Sequence, residues 1–356
     1  MTMKTYGVAV IGCGYMGKAH LEALSRHERT QVTAVVDANA AVARETARQF
    51  GIPRWHTDYR VFAGDRDVDA VVIATYPSTH LEITKEYLAH GKHVLCEKPV
   101  AANPADTQAF FRLCRRAKAK VMVGHILRHN ETYRQAMQMI HSGKIGFPLV
   151  MRMSQVKQSQ HWAGHLALLQ DASPIVDCGV HYFDLMRWAT GSELESVSGI
   201  GQRLDGDVPA HTYNYGLAAV AMADGSAGYF EAGWGQTLKT DFRKEFTGPK
   251  GRIEIIYQCF RPLSQQSLGN AIRFYDFASG EMTETNIPYE GKSTLSQISH
   301  FVRVMDGKAE PVPSLEDVCS AMHMALMADQ AIREKRVLTN PDARCGQDIP
   351  LPHCIS

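Results

Sequence analysis

The sequence predicts an α/β fold: a doubly wound parallel sheet in its first third, then a second α/β domain on a mostly antiparallel sheet. Three observations carry this. Apolar runs and helical stretches alternate from residue 5 to about residue 128, the pattern of parallel strands joined by crossover helices. The strand-like runs are apolar on both faces, as in strands covered by helices on each side. After residue 128 the alternation stops, and strand-like runs follow one another across short turns, which reads as antiparallel.

The elements follow in order. Residues 5–11 (TYGVAVI) read as a buried strand, followed by a glycine-rich turn and a helical stretch through Ala19, Leu21 and Leu24. Residues 31–36 form a second strand ending at Asp37, and 39–50 a helix. Strand 69–74 leads through a turn at Tyr76–Pro77 into helix 79–90. Strand 92–96, helix 104–117 and strand 120–124 complete the first domain, 1–128. In the second domain, 129–356, a helix over 131–142 stops at Gly143. Strands are expected at 148–156, 212–222, 226–234, 242–247 and 251–257, with a helix over about 174–189. Helices near 294–306 and 314–335 close the chain.

The bulk numbers exclude several classes. The 356 residues suggest two domains, and 45% hydrophobic with 21% charged residues is a globular profile. Lys+Arg (38) and Asp+Glu (37) nearly cancel and no long basic run occurs, so nucleic acid is not an expected partner. No apolar run approaches the roughly 18 residues of a membrane helix. The N-terminal MTMKTYGVAVIG lacks the apolar core and cleavage site of a signal peptide. Eight scattered cysteines without a C-x-x-C pair indicate reduced, mostly buried thiols and a cytoplasmic location; Cys345 and Cys354 sit in the polar tail.

The first chemical motif is Gly12-x-Gly14-x-x-Gly17, between the first strand and the helix it opens. The first glycine permits the tight turn, the second lets a pyrophosphate approach the backbone, and the third lets helix and strand pack closely. The helix N-terminus then offers free N–H groups to phosphate. Asp37 ends the second strand, twenty residues past Gly17, where an acid binds ribose hydroxyls. The combination indicates a Rossmann dinucleotide-binding domain. Asp37 would repel a 2′-phosphate, which favours NAD over NADP; Arg44 on the next helix is the argument for NADP.

Two more motifs carry reactive groups. Glu97-Lys98-Pro99 ends a parallel strand, at the edge where ligands of this fold bind. Proline favours an extended conformation at Lys98 and keeps it out of a helix; by itself the motif also reads as a surface lysine before a turn. In Asp177-x-Gly179-x-His181-x-x-Asp184, Ser173 can cap a helix and Pro174 suits its first position. Asp177 and His181 then share one face. A carboxylate beside an imidazole orients it and favours its protonated form. An ordinary intrahelical pair and a metal site are the other readings, and the metal reading lacks a third ligand nearby.

The segments GCGYMG (12–17), TYPSTH (75–80), GKHVLCEKP (91–99) and DCGVHYFD (177–184), in this order and spacing, resemble the Gfo/Idh/MocA oxidoreductase family over nearly the whole chain. The resemblance implies a Rossmann domain followed by an α/β domain with a large open, mostly antiparallel sheet. It implies assembly as a homodimer or homotetramer, and final helices (about 314–335) that return toward the first domain. It implies that Lys98 is the catalytic lysine, completed by Asp177 and His181; no metal is expected, for want of that third ligand. It assigns NAD binding to Gly12, Gly14, Tyr15, Met16, Gly17, Asp37, Thr75, Pro77, His80, Glu97 and Lys98, and substrate contacts to Arg128 and Asn130. Trp162 offers a stacking face for a sugar, or is a core or interface tryptophan. Two departures stand out: Ser78 replaces the usual asparagine, and LLQDASPIV precedes Asp177 where many relatives have a diglycine.

The expected reaction moves a hydride between nicotinamide and a secondary alcohol or ketone of a cyclic polyol, sugar or glycoside. The alcohol would bind between the domains, with His181 as general base and Lys98 stabilising alkoxide charge. An NAD-assisted glycosidase using transient oxidation, a reductase of a sugar-nucleotide ketone, and a non-enzymatic dinucleotide or sugar sensor are the alternatives.

Overall fold

The computed structural model describes residues 4–289 and 291–341. Their contacts divide them into two compact units, 4–130 with 291–319, and 131–289 with 320–341.

The first unit alternates as its hydrophobic pattern requires: β1 (Tyr6–Ile11), α1 (Tyr15–Arg26), β2 (Thr30–Val36), α2 (Ala40–Phe50), β3 (Trp55–His56), β4 (Ala70–Ile73), α3 (Pro77–Ala89), β5 (His93–Cys96), α4 (Pro104–Arg116) and β6 (Val121–Val123). The strands form one parallel sheet in the order β3-β2-β1-β4-β5-β6. The chain order reverses between β1 and β4, which opens the crevice where such sheets bind ligands. Short polar side chains start α2 and α4. Asn39 accepts the Ala41 and Val42 N–H groups at the start of α2, and Asn103 accepts Asp106 N–H at the start of α4. The two-residue β3 was absent from the sequence reading; it is too short for any hydrophobic period to reveal.

The second unit holds α5 (Glu131–His141), β7 (Val150–Gln158), α6 (Trp162–Asp171), α7 (Pro174–Asp177), α8 (Gly179–Thr190), β8 (Leu194–Gln202), β9 (Tyr215–Met222), β10 (Ala227–Gly235), β11 (Lys244–Gly248), β12 (Gly251–Ile256), β13 (Asn270–Asp276) and β14 (Met282–Ile287). With β15 (Leu338–Thr339) the strands form a nine-stranded sheet, β14-β13-β12-β11-β7-β10-β9-β8-β15. Every pairing is antiparallel except β7 with β10. Asp224–Gly225 forms the expected turn between β9 and β10, with Gly225 at φ +86° and Asp224 Oδ1 accepting Ser226 N–H. Helices α7 and α8 cover one face, over β9 and β10.

Three long strands correct the sequence reading, which had left β8, β13 and β14 unassigned. β8 is LESVSGIGQ, whose serines and glycines hide its alternation. Gly199 is required there by packing, since a Cβ would sit 2.5 Å from Leu217 O and 2.6 Å from Ile332. β14 is MTETNI, a polar edge strand that buries only Ile287. Helix α6 was also unassigned, and the helix expected over 174–189 is two helices meeting at Cys178.

Helix α9 (Thr294–Met305) belongs to the first unit and packs on α1. Its Ile298, Phe301 and Val302 join Val8, Leu21, Leu24, Val35 and Leu95 in one core. The Arg29 guanidinium and Tyr6 hydroxyl both bond Asp306 at its end, which pulls that carboxyl well below the usual range, chiefly through Arg29. Helix α10 (Leu315–Glu334) starts in the first unit and continues into the second. Among the described residues no helix is long and apolar enough to cross a membrane. Cys13, Cys96, Cys114 and Cys178 are buried thiols, whereas Cys345 and Cys354 lie outside the described residues.

Candidate active site

The strand ends of the first sheet are in register. Ile11 pairs with Val36 and with Ile73, Ile73 with Cys96, and Cys96 with Val123. The ladder runs one residue further: Gly12 N–H donates to Val36 O, Ala74 N–H to Ile11 O, Glu97 N–H to Ile73 O and Gly124 N–H to Cys96 O, all within 2.7–2.8 Å. The residues that follow, Gly12, Asp37, Ala74–Thr75, Glu97–Lys98 and Gly124, therefore share one carboxyl edge.

The three glycines of the turn differ in what requires them. Gly12 has φ +91°, and a Cβ there would lie 2.4 Å from Ala74 O. A Cβ on Gly17 would lie 1.8 Å from Gly12 O. Gly14 has no atom within 4 Å of an added Cβ, so its lack of a side chain serves nothing inside the protein. It is the N-cap of α1, without a side-chain cap and without an acid in the first turn. An uncapped helix start beside an open glycine fits an anionic pyrophosphate. Tyr15 is exposed, and Lys292 Nζ lies 4.0 Å from its ring centroid and 2.9 Å from Met16 Sδ.

Asp37 Oδ2 accepts the Cys13 N–H and Oδ1 the Asn39 N–H, both at 2.9 Å. Burial and the nearby carboxylate push the Cys13 thiol up to about 11, so it stays protonated. Arg44 lays its guanidinium over Trp55, 5.2 Å from the ring centroid. The residues fit NAD: the open glycine at the helix start for the phosphates, and a fixed carboxylate for the adenosine ribose.

Pro77 opens α3. His80 is fully buried, with Nδ1 2.9 Å from Pro99 O and Nε2 3.2 Å from Thr75 O, so it ties the loops after β4 and β5 together. Ser78 is exposed. Glu97 is buried, its Oε1 2.7 Å from His20 Nε2 and its Oε2 accepting the Lys98 N–H at 3.2 Å. Lys98 is half-buried and its bond to Pro99 is cis. Arg128 lies on a single 3₁₀ turn, Ile126–His129, and Asn130 follows it, donating to Ser293 Oγ at 3.1 Å. His20 was not anticipated; a lone histidine on an apolar helix face gives no signal for its partner in sequence.

In the second unit Ser173 caps α7 by accepting Val176 N–H, with Pro174 at the first turn, as its sequence predicts. Asp177 ends α7 and His181 sits in the first turn of α8, both half-buried. His181 N–H bonds to Cys178 O, three residues back. Gly179 is needed because a Cβ would lie 2.9 Å from the Phe183 ring and 3.3 Å from Phe230. The Trp162 indole N–H donates to Asp207 at 2.7 Å. His165 is a residue the sequence reading missed. Its Nδ1 lies 2.7 Å from Ser159 Oγ and its ring 5.3 Å from that of Trp234. Burial lowers its pKa, offset in part by its bond to the His161 main chain and, less, by the Asp177 charge. Among the described residues no cluster of three or more His, Cys, Asp or Glu could hold a metal.

Residues 6–125 match the family model described as oxidoreductase family, NAD-binding Rossmann fold, and 133–254 match the GFO/IDH/MocA C-terminal domain. Inositol 2-dehydrogenase of Rhizobium meliloti (strain 1021) is 26% identical over 342 residues, 94% of this chain and 99% of that protein. The scyllo-inositol 2-dehydrogenase (NAD(+)) of Bacillus subtilis (strain 168) is 28% identical over 255 residues, 69% of this chain and 72% of that protein. Among solved structures, myo-inositol 2-dehydrogenase from Lactobacillus plantarum has a TM-score of 0.80 at 19% identity, covering 94% of this chain and 99% of that one. At that identity it speaks for the fold alone.

Proposed function

Because the chain belongs to the Gfo/Idh/MocA family of NAD-binding oxidoreductases, we propose that it is an NAD-dependent dehydrogenase that oxidises a secondary hydroxyl of a cyclic polyol. The observation that carries this reading is the shared carboxyl edge, where Lys98 directly follows Glu97, which stands in the same row as Gly12 and Asp37. Relatives whose names specify inositol 2-dehydrogenases support the substrate class.

In the proposed reaction NAD, when bound, supplies the hydride acceptor at its nicotinamide. The Lys98 ammonium donates a hydrogen bond to the substrate oxygen and stabilises the negative charge that grows there. A ring nitrogen of His181 takes the hydroxyl proton, since an imidazole near neutrality both accepts and returns one. Asp177 bonds a neighbouring hydroxyl or orients the His181 ring. The alcohol thus loses a hydride and a proton and becomes a ketone; in reverse His181 gives the proton back. Arg128, Asn130 and Trp162 are assigned to substrate contact. Dinucleotide binding falls to 1–128, and substrate selection with homodimer or homotetramer assembly to 129–356. The buried thiols support a cytoplasmic setting.

The test is NADH formation against a panel of inositols and sugars. Turnover on at least one cyclic polyol is expected, and Lys98→Met should lower it on the order of 10²-fold or more. No turnover across the panel with NAD bound, or full activity of Lys98→Met, overturns the reading.

A further inference from the structure

A buried carboxylate with a buried imidazole is a costly core, because desolvating charge carries a penalty that apolar residues of similar volume would not. The first unit carries such a pair directly behind Lys98. His20 is fully buried on α1, the helix that opens on the glycine turn, and Glu97 is nearly so at the end of β5. His20 Nε2 and Glu97 Oε1 are 2.7 Å apart. The second Glu97 oxygen accepts the Lys98 main-chain N–H at 3.2 Å.

The surroundings are cut to the carboxylate. A Cβ on Gly124, next in the strand-end row, would lie 2.8 Å from Glu97 Oε2, 2.9 Å from its carboxyl carbon and 3.0 Å from Oε1. Glycine at 124 thus leaves room for this one side chain. Burial pushes the Glu97 carboxyl up, but the His20 bond and charge, the Lys98 charge and the Lys98 N–H together hold it below its usual range. It is therefore ionised, and both its oxygens can only accept. His20 must present Nε2–H to it, since a bare Nε2 would set lone pair against lone pair. Its Nδ1 has no hydrogen-bond partner, so the ring is spent on Glu97 alone.

We propose that His20 and Glu97 are positioning residues for Lys98: the helix of the dinucleotide turn holds the Glu97 carboxylate through His20, and the carboxylate fixes the main chain and counters the charge of the lysine. The inference rests on the reading of Lys98 as the catalytic lysine. It makes the pose of Lys98 depend on the helix that receives the cofactor phosphates. Neither side chain touches substrate in this scheme.

The experiment uses the full chain with three substitutions. His20→Leu removes the donor at similar volume, His20→Gln offers an amide N–H in place of Nε2–H, and Glu97→Gln keeps shape and removes charge. His20→Leu and Glu97→Gln should lower kcat on the active polyol by about 30-fold or more, and in His20→Leu NAD affinity by calorimetry should change less than about threefold. His20→Gln should recover at least about a third of kcat, because the donor is restored. Two readouts need no bound cofactor. Long-range ¹⁵N–¹H spectra of the apo protein should show His20 carrying its proton on Nε2. The Lys98 amine, followed by ¹³C-methyl NMR, should titrate about one unit lower in Glu97→Gln.

Near-normal kcat in His20→Leu and Glu97→Gln, with Lys98→Met inactive, overturns the positioning role and leaves the lysine assignment standing. Full activity of Lys98→Met overturns that assignment and this inference with it. A His20 proton on Nδ1, an unmoved Lys98 titration, or equal losses of kcat, NAD binding and thermal stability in His20→Leu and His20→Gln also overturn it, the last by showing a merely structural pair.

Discussion

The Asp37 carboxylate is fastened to the main chain of Cys13, whose N–H lies 2.9 Å from Oδ2, while Oδ1 takes the Asn39 N–H. One side chain thus fixes the end of β2 to the glycine turn and caps the entry to α2. Each oxygen retains a lone pair for a ribose hydroxyl. Replacing it by Asn leaves one acceptor oxygen for two main-chain donors and removes the charge that repels a 2′-phosphate. Asp37→Asn should lower kcat/KM with NAD by about 10- to 100-fold, the range of one or two charge-assisted hydrogen bonds. It should also narrow the preference for NAD over NADP and cost about 1 kcal/mol of stability. Steady-state kinetics with both cofactors and a denaturant titration check this; an unchanged NAD/NADP ratio would remove Asp37 from the ribose site.

Gly14 separates folding from binding. Its φ of −73° and ψ of −162° suit any L-residue, and an added Cβ meets nothing within 4 Å. Gly14→Ala should therefore fold within about 0.5 kcal/mol of wild type and bind NAD at least about tenfold more weakly, because the methyl stands where the pyrophosphate approaches the backbone. Gly17→Ala should fail to give stable protein, since its Cβ would lie 1.8 Å from Gly12 O. Calorimetry on Gly14→Ala is decisive: wild-type NAD affinity in that variant would place the phosphates elsewhere.

These two variants show what kind of information the sequence held. The glycine turn and Asp37 were legible because each depends on local backbone geometry at fixed spacing, whereas the roles of Lys98, Asp177 and His181 come from the family resemblance and are proposals. The apolar parallel strands were legible because burial on both faces leaves a continuous hydrophobic run. β14 was not, because an edge strand needs no apolar face and exposes nearly everything but Ile287. Nor was the break at Cys178, whose own φ −82° and ψ −39° are helical, so nothing local marks it. His20 with Glu97 (77 residues apart) and His165 near Asp177 are pairings made by topology, and no local pattern announces them.

Lys244 belongs to that second group, and it carries a pH-dependent prediction. Its position in β11 is an inward one, between sheet and α8, and its Nζ is buried with no hydrogen-bond partner. The rings of Tyr257, Phe242 and Tyr182 surround it at 4.3, 5.1 and 5.3 Å. Burial pushes its pKa down to about 7, against smaller opposing effects of Asp241, Cys259 and Cys178. In the unfolded chain a lysine titrates near 10.4. Between those values the unfolded chain holds a proton that the native protein lacks, so stability rises with pH across that window. Below pH 7 both states are protonated and the full desolvation cost is present. Lys244→Met should accordingly stabilise the protein at pH 6 by about 2–4 kcal/mol, after allowing for the attraction of the three ring faces. The gain should shrink by more than half at pH 9. Urea titrations at the two pH values measure it; a loss of stability at pH 6 would mean that the aromatic faces more than repay the buried ammonium.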